Sequence, residues 1–345
     1  MAKKSTSTSK KKDDIIYMGI DLGTSRSAVA ASNGRRLWVE SYVAWPRDFV
    51  ARKMLQRDVL FGEEAVKHRL SVDLVRPLEF GVIKDGTRRN EEAVRALIHH
   101  LIEEAQPDEG QKIYAAVGVP AEALRVNKMA IRDAVREYAD ALMVVSEPFA
   151  VAYGQNALTN ALIIDIGAGT TDFCVMHGTM PTEEDQRTLT LAGDSIDRRM
   201  LEVLRERYPT VHFSDQMVRQ LKEEHGFVGA SKSKVTTKVT IDGKVQEIDI
   251  TDALRSACES IVAPIAETTI DLLSHYEPEF QEMLRRNVFL AGGGSQIKGI
   301  AEALEKALAE YSSFKVTTVG EALFAGADGA LALTQDMPEE YWEDM

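Results

Sequence analysis

Cysteine is scarce in this chain of 345 residues: Cys174 and Cys258 are the full complement. Two thiols cannot build a disulfide framework. Cys174 falls in an apolar run where a small core residue is expected, which fits a reducing cytosol. Positive charge is also in deficit, with 41 Lys and Arg against 54 Asp and Glu and a net charge of -13. That balance argues against nucleic acid or an anionic membrane as the main partner. It leaves room for a small phosphorylated ligand, because a glycine-rich turn and a divalent cation neutralise phosphates locally. No apolar run has the length needed to span a bilayer, and there is no signal-peptide h-region, so direct membrane insertion is not expected. No G-x-x-x-x-G-K-S/T loop occurs either, so any phosphate chemistry must rest on another device.

What is present describes a globular protein, 44% hydrophobic and 28% charged, with enough length for two cores. Residues 1–14 open on MAKKSTSTSKKK and read as a disordered basic arm, or as a weak electrostatic handle for an acidic surface. The centre of the chain is Leu162–Val175, LIIDIGAGTTDFCV. An apolar run ends in Asp165, a Gly/Thr turn follows, and a second apolar run begins after Asp172. The pattern predicts strand, tight turn, strand. Glycines there let backbone N–H groups approach a ligand, threonine hydroxyls add donors, and a carboxylate at the strand end suits Mg²⁺. Taken alone, the segment reads equally well as an ordinary glycine-rich hairpin. The same device stands near the start, where the Ile15–Ile20 run leads into Asp21-Leu22-Gly23-Thr24-Ser25. Its recurrence predicts two similarly built domains.

Between these turns, strands alternate with helices, which indicates α/β architecture. An apolar stripe of Ala93, Val94, Leu97, Ile98, Leu101 and Ile102 predicts an amphipathic helix over 91–104. His99 and His100 are adjacent on it and point in different directions, which disfavours a shared metal. Pro120 is expected to open a helix to about Tyr138, and Ser146 to cap one carrying Glu147 and Pro148 in its first turn. Later, Thr251 begins a long helix to about Tyr276 that Pro264 kinks, Ser295 opens a helix to Tyr311, and a last helix runs from Glu321 to Leu333.

A third glycine-rich segment, Ala291–Gly299 (AGGGSQIKG), completes an ordered set with the turns at 21–25 and 165–172. At these separations the three resemble the actin superfamily, which also includes heat-shock ATPases and sugar kinases, over about Ile15 to Leu333. The resemblance implies an actin-like ATPase fold of the α/β class, with two ribonuclease-H-like domains around a nucleotide cleft, each with a smaller appended subdomain. The expected division is domain I over 15–155 with its subdomain at about 36–78, domain II over 156–333 with its subdomain at about 193–250, and an acidic tail over 334–345. Within the superfamily, DLGTS, VVSEPF followed by YG, DIGAGTTD and the late M-P-x-x-Y-W are similar to the rod-shape and magnetosome-filament actins of bacteria.

Motif by motif, the resemblance places ATP or ADP phosphates on Gly23, Thr24 and Ser25 and on Gly167, Gly169, Thr170 and Thr171. It places adenosine on Gly292, Gly293, Gly294 and Ser295. Lys222 and Glu223 match a pair that meets ribose and base, with Gly193 and Asp194 as further ribose-side candidates. Glu147 matches a glutamate that orients the attacking water; Asp21 and Asp165 are the Mg²⁺ candidates, Asp165 also counting as catalytic. Arg26 departs from the pattern, and either touches a phosphate or faces the surface. Asp172 either joins the site or pins the turn. The implied function is a cytoplasmic, cytoskeletal ATPase that polymerises head to tail, with hydrolysis driving turnover, and that organises magnetosome organelles. Its partners would be further copies of itself and acidic or membrane-bound adaptors on the organelle. A sugar-type kinase or a monomeric chaperone-like ATPase on the same fold is the alternative.

Overall fold

The computed structural model describes residues 14–84, 87–123, 125–230 and 233–344. The basic arm expected over 1–14 therefore lies, apart from Asp14, outside the described residues. The chain forms two compact units, one running to Asn156 and resuming at Leu323, the other spanning Ala157–Ala322.

The first unit begins with β1 (Ile15–Leu22), β2 (Arg26–Ala31) and β3 (Arg36–Glu40), joined antiparallel in that order. A small three-stranded sheet follows, from β4 (Val43–Pro46), β5 (Leu60–Phe61) and β6 (Val72–Val75), with helices α1 (Phe49–Leu55) and α2 (Gly62–Lys67). The appended piece expected from about 36 thus starts only after β3, which belongs to the main sheet. A short hairpin, β7 (Leu78–Glu79) and β8 (Val82–Ile83), precedes α3 (Arg88–Glu104). The six apolar residues predicted on α3 are all buried, and Leu97, Ile98 and Leu101 have no exposed surface. Each large aliphatic side chain so buried stabilises the fold by about 1.5–3 kcal/mol. His99 stacks on Tyr138 and His100 on Phe61, so the two rings serve different contacts. Then come β9 (Lys112–Val119), α4 (Arg125–Val135), β10 (Ala141–Ser146) and α5 (Glu147–Gly154). α4 starts five residues after Pro120, because a turn intervenes where the helix was expected to open.

The second unit holds β11 (Thr159–Ile166), β12 (Thr171–His177) and β13 (Gln186–Leu189), again joined antiparallel in order. Helices α6 (Gly193–Arg207) and α7 (Asp215–His225) lead to a separate hairpin, β14 (Thr236–Ile241) with β15 (Lys244–Asp249). The single kinked helix expected from Thr251 is two helices, α8 (Thr251–Glu259) and α9 (Val262–Leu273). Pro264 sits in the first turn of α9, where a missing N–H leaves no intrahelical bond unmade. α10 (Pro278–Arg285), β16 (Val288–Ala291), α11 (Ile300–Leu308) and β17 (Val316–Thr318) complete the unit.

The chain then returns to the first unit through α12 (Ala325–Asp336) and a short β18 (Glu343–Asp344). The helix assigned from sequence to domain II therefore packs on the first unit, against β1 and α5. Small residues allow the close approach: a Cβ on Gly329 would lie 1.9 Å from the Ala150 carbonyl oxygen. The acidic tail is likewise part of this unit. β18 pairs with the outer edge of β10, and Trp342 packs its ring 5.0 Å from that of Tyr114.

The two main sheets have corresponding orders. From the antiparallel edge the first reads β3-β2-β1-β9-β10 before β18, and the second reads β13-β12-β11-β16-β17. In each, the central strand pairs antiparallel with its hairpin partner and parallel with a strand far along the chain. Each sheet covers its own apolar core. No described helix is long and apolar enough to cross a membrane.

Candidate functional site

Both acids that head the glycine turns stand near the ends of the equivalent central strands, Asp21 on β1 and Asp165 on β11. In the first unit, Asp21 is level with Gly118 on β9, and Gly118 is level with Val145 on β10. Glu147 follows directly as the first residue of α5. Its Cγ would lie only 3.2 Å from a Cβ on Gly118, so the glutamate packs over the strand beside Asp21. The sheet register thus brings Asp21 and Glu147 to the same end of the unit. A Cβ on Gly326, at the start of α12, would fall 2.7 Å from Asp21 Oδ2, so a larger side chain there would displace the carboxylate. Asp21 is partly buried, and desolvation pushes its pKa up from 3.8 to about 6.

The turn after Asp21 is held by groups that the sequence did not single out. Ser41 Oγ donates to the Gly23 carbonyl at 2.6 Å and lies 2.9 Å from Ser27 Oγ. The Ser41 N–H donates to the Ser25 carbonyl. Arg76 Nε donates to the Thr24 carbonyl, and the Gly81 N–H donates to Thr24 Oγ1 at 2.7 Å. Thr24 is buried with its hydroxyl in this network. Arg26, opposite Glu40 in the β2–β3 register, lays its guanidinium 5.2 Å from the centre of the Trp38 ring. Of the two readings open for it, that contact with the exposed Trp38 favours the surface.

In the second unit Asp165 is level with Ala291 on β16 and with Asp172 on β12. Gly292 comes next, with φ at +75°, and a Cβ there would lie 2.2 Å from Asp165 Oδ1. Only glycine fits that position. The 165–172 turn is closed by the Gly167 N–H donating to the Thr170 carbonyl. It is tied to the start of α6, where the N–H groups of Gly193 and Asp194 donate to the carbonyls of Gly167 and Ala168. Gly169 and Thr170 are buried at its tip, and the Thr170 hydroxyl makes no hydrogen bond among the described residues. Thr171 corrects the expectation that it donates to a phosphate. It is fully buried and its hydroxyl donates to the Leu191 carbonyl at 2.8 Å. Asp172 accepts from Thr188 Oγ1 at 2.6 Å and is 1% exposed, so it pins the hairpin.

Lys222 reaches the same turn from α7. Its Nζ donates to the Gly193 carbonyl at 2.8 Å and meets Asp197 Oδ1 at 2.9 Å, which commits two of its three N–H donors. Asp197 was not foreseen. Burial pushes its pKa up, opposed by Lys222 and Arg219, and Arg219 also lies 3.8 Å from Asp194. Its place on α6, three residues after Asp194, is the signal that marks it as part of this end of the helix. Glu223 is exposed on α7. Ser295, expected on the adenosine side, has its hydroxyl bonded within its own loop. Its hydroxyl donates to the Gly292 carbonyl and accepts from Gln296 Nε2, so it braces the loop. It lies in a single 3₁₀ turn, Gly293–Gln296, and the α-helix starts only at Ile300. Gly293 is the open point of this loop: a Cβ there would meet nothing within 4 Å. Gly294 packs on Ile166.

Each unit thus carries an acid followed by a backbone-rich turn near the end of its central strand, as the actin-like resemblance implied. A family model described as MreB/Mbl protein matches residues 15–340. The chain belongs to the MreB/Mbl family. Among MreB/Mbl relatives, the actin-like protein MamK of Magnetospirillum gryphiswaldense is 38% identical over 327 residues, 95% of this chain and 91% of that one. MamK of Paramagnetospirillum magneticum is 37% identical over 330 residues, 96% and 95% of the two chains. A solved MamK double helical filament superposes with a TM-score of 0.91 at 37% identity, covering 94% of this chain and 99% of that one. A non-polymerising MamK point mutant bound to AMPPNP superposes with a TM-score of 0.72 at 36% identity, with the same coverage. The MreB/Mbl fold is actin-like, as the sequence resemblance implied.

Proposed function

We propose that this chain is an ATP-hydrolysing, filament-forming bacterial actin that organises magnetosome-type organelles. The observation that carries this reading is the equivalence of Asp21 and Asp165, each at the end of the central strand of a correspondingly ordered sheet. The turns after both acids engage the nucleotide phosphates, with backbone N–H groups of Gly23–Ser25 and Ala168–Thr170 as donors. Gly293, open to the outside, and its neighbours receive adenosine. The third donor of Lys222, with Asp194 and Glu223, faces the ribose side.

Magnesium fits these residues. No cluster of three or more acidic, His or Cys ligands exists among the described residues. Mg²⁺ in nucleotide sites is held by one or two carboxylates, waters and phosphate oxygens, and Asp21 and Asp165, each heading the turn of its own unit, are the carboxylates we assign to it. When bound, the ion neutralises phosphate charge. Glu147, at the N-terminus of α5, accepts a hydrogen bond from the water that attacks the terminal phosphate. The chain's own contribution is positioning and fixed dipoles.

Copies adding head to tail make a heterologous interface that does not close on itself, which generates a filament. The solved filament of a protein 37% identical to this chain supports that reading. Sedimentation and light scattering with and without Mg-ATP test it. Large assemblies that appear only with nucleotide are expected. A persistent monomer that transfers phosphate to a sugar would replace this reading with the kinase alternative.

A further inference from the structure

The second unit carries a concentration of positive charge that no part of the proposed site uses. A cavity of about 480 Å³ is lined by Arg285, Arg286, Lys315, Ser312, Ser313 and Glu282, among others. Arg285 and Arg286 close α10 just before β16, and Lys315 stands just before β17. The cavity therefore lies at the starting ends of two parallel strands. The Asp165 turn and Gly292 lie at their finishing ends. β16 alone, four residues long, separates the two places by roughly 13 Å.

We propose that this cavity binds a phosphate-class oxyanion. Three cations against the single carboxylate of Glu282 leave a local charge of +2 in a protein whose net charge is -13. Arg286 pairs with Glu282, which also lines the cavity. Arg285 is fixed by a bond from Nη2 to Gln281 Oε1 at 2.7 Å and by the ring of the buried Phe314, 6.0 Å from its Cζ. Its Nε is buried and has no hydrogen-bond partner among the described residues. The Lys315 N–H donates to the Arg285 carbonyl, which ties the start of β17 to the end of α10 and keeps the cations together.

The mixture of donors favours phosphate over carboxylate. A carboxylate is planar and is satisfied by one guanidinium fork. Two guanidinium groups, an ammonium and two serine hydroxyls offer donors from several directions, which suits a tetrahedral anion. The source is either free phosphate or a phosphomonoester, and the same pocket chemistry serves both.

Equilibrium dialysis with radiolabelled inorganic phosphate tests the proposal. The full chain is first saturated with Mg-AMPPNP, so that the positions of all three nucleotide phosphates are filled, and chloride holds ionic strength constant. Saturable binding is expected in the wild type. The double variant Arg285→Gln with Lys315→Ala should lose at least about tenfold in phosphate affinity and keep its AMPPNP affinity. Ser312→Ala with Ser313→Ala, a milder change on an accessible segment, should weaken phosphate severalfold. Arg52→Ala with Lys53→Ala, on α1 of the other unit, should leave it unchanged. A parallel series with glycerol 3-phosphate identifies the source: tighter binding than phosphate assigns a monoester, weaker binding assigns the free anion. Absence of saturable binding of both probes, or equal affinity in the wild type and both pocket variants, would overturn the proposal.

Discussion

The turn after Asp21 is braced from outside its own sheet, by the hydroxyl of Ser41, the guanidinium of Arg76 and the backbone of Gly81. The turn after Asp165 is braced through the first backbone N–H groups of α6, which donate to the Gly167 and Ala168 carbonyls, and by a glycine pressed against the acid. One strand-acid-glycine pattern is thus held in two ways. The first turn depends on segments that belong to the small sheet and the β7–β8 hairpin, so its shape is tied to the appended part of the unit. The second is tied to α6 and β16, elements of the unit's own core. The pattern sets the chemistry offered at the tip, and the surroundings set how firmly it is held.

Substitution of the two acids separates chemistry from support. The largest effect is expected for Asp165→Ala, which should reduce Mg-ATP-linked phosphate release by at least about a hundredfold. Unchanged hydrolysis in a colorimetric phosphate assay would remove Asp165 from the metal side of the site. Asp21→Asn should lower activity too, but it has a second signature. Burial raises the Asp21 pKa from 3.8 to about 6, so the folded protein binds the proton more tightly than the unfolded chain. The resulting stability is present below about pH 4 and is lost as pH rises through 6. Above that, the ionised carboxylate costs the nucleotide-free protein up to about 3 kcal/mol, an upper bound because Asp21 keeps some solvent contact. Asp21→Asn should therefore melt higher than wild type at pH 7 and show no advantage at pH 4. A difference in melting temperature that does not vary with pH would contradict this origin.

The smallest effect sharpens the contrast within the second turn. Thr171→Val should cost about 1 kcal/mol of stability through the lost bond to Leu191, with nucleotide affinity unchanged. Thr170→Val should do the reverse, weakening nucleotide with little change in melting. Isothermal titration and thermal melting of the pair measure both quantities, and a shared phenotype would mean that the hydroxyls have been assigned the wrong way round.

Local pattern made much of this legible. The alternation of apolar runs and glycine turns located β1, β11 and both acids, and the stripe on α3 located a core helix. Sequence pattern does not report where a hydroxyl points. Thr170 and Thr171 are neighbours of one type, yet strand alternation sends Thr171 inward to Leu191. The return of α12 to the first unit was hidden for a related reason. Its run of Ala and Gly carries little amphipathic contrast, and its partners Gly19 and Ala150 lie far away in the chain. The apolar pattern resumes after Pro264 and so predicts a kink, whereas the break at Ser260–Ile261 that places it in a new first turn leaves no pattern of its own. The basic cavity was invisible in sequence because its cations precede two different strands and meet only through the β16–β17 pairing.

Phosphate release from Glu147→Ala, followed together with light scattering after Mg-ATP is added, tests the central claim most directly. Assembly should be retained to within about twofold while phosphate release falls by about a hundredfold and the filaments persist. Phosphate release at the wild-type rate from this variant would contradict the account.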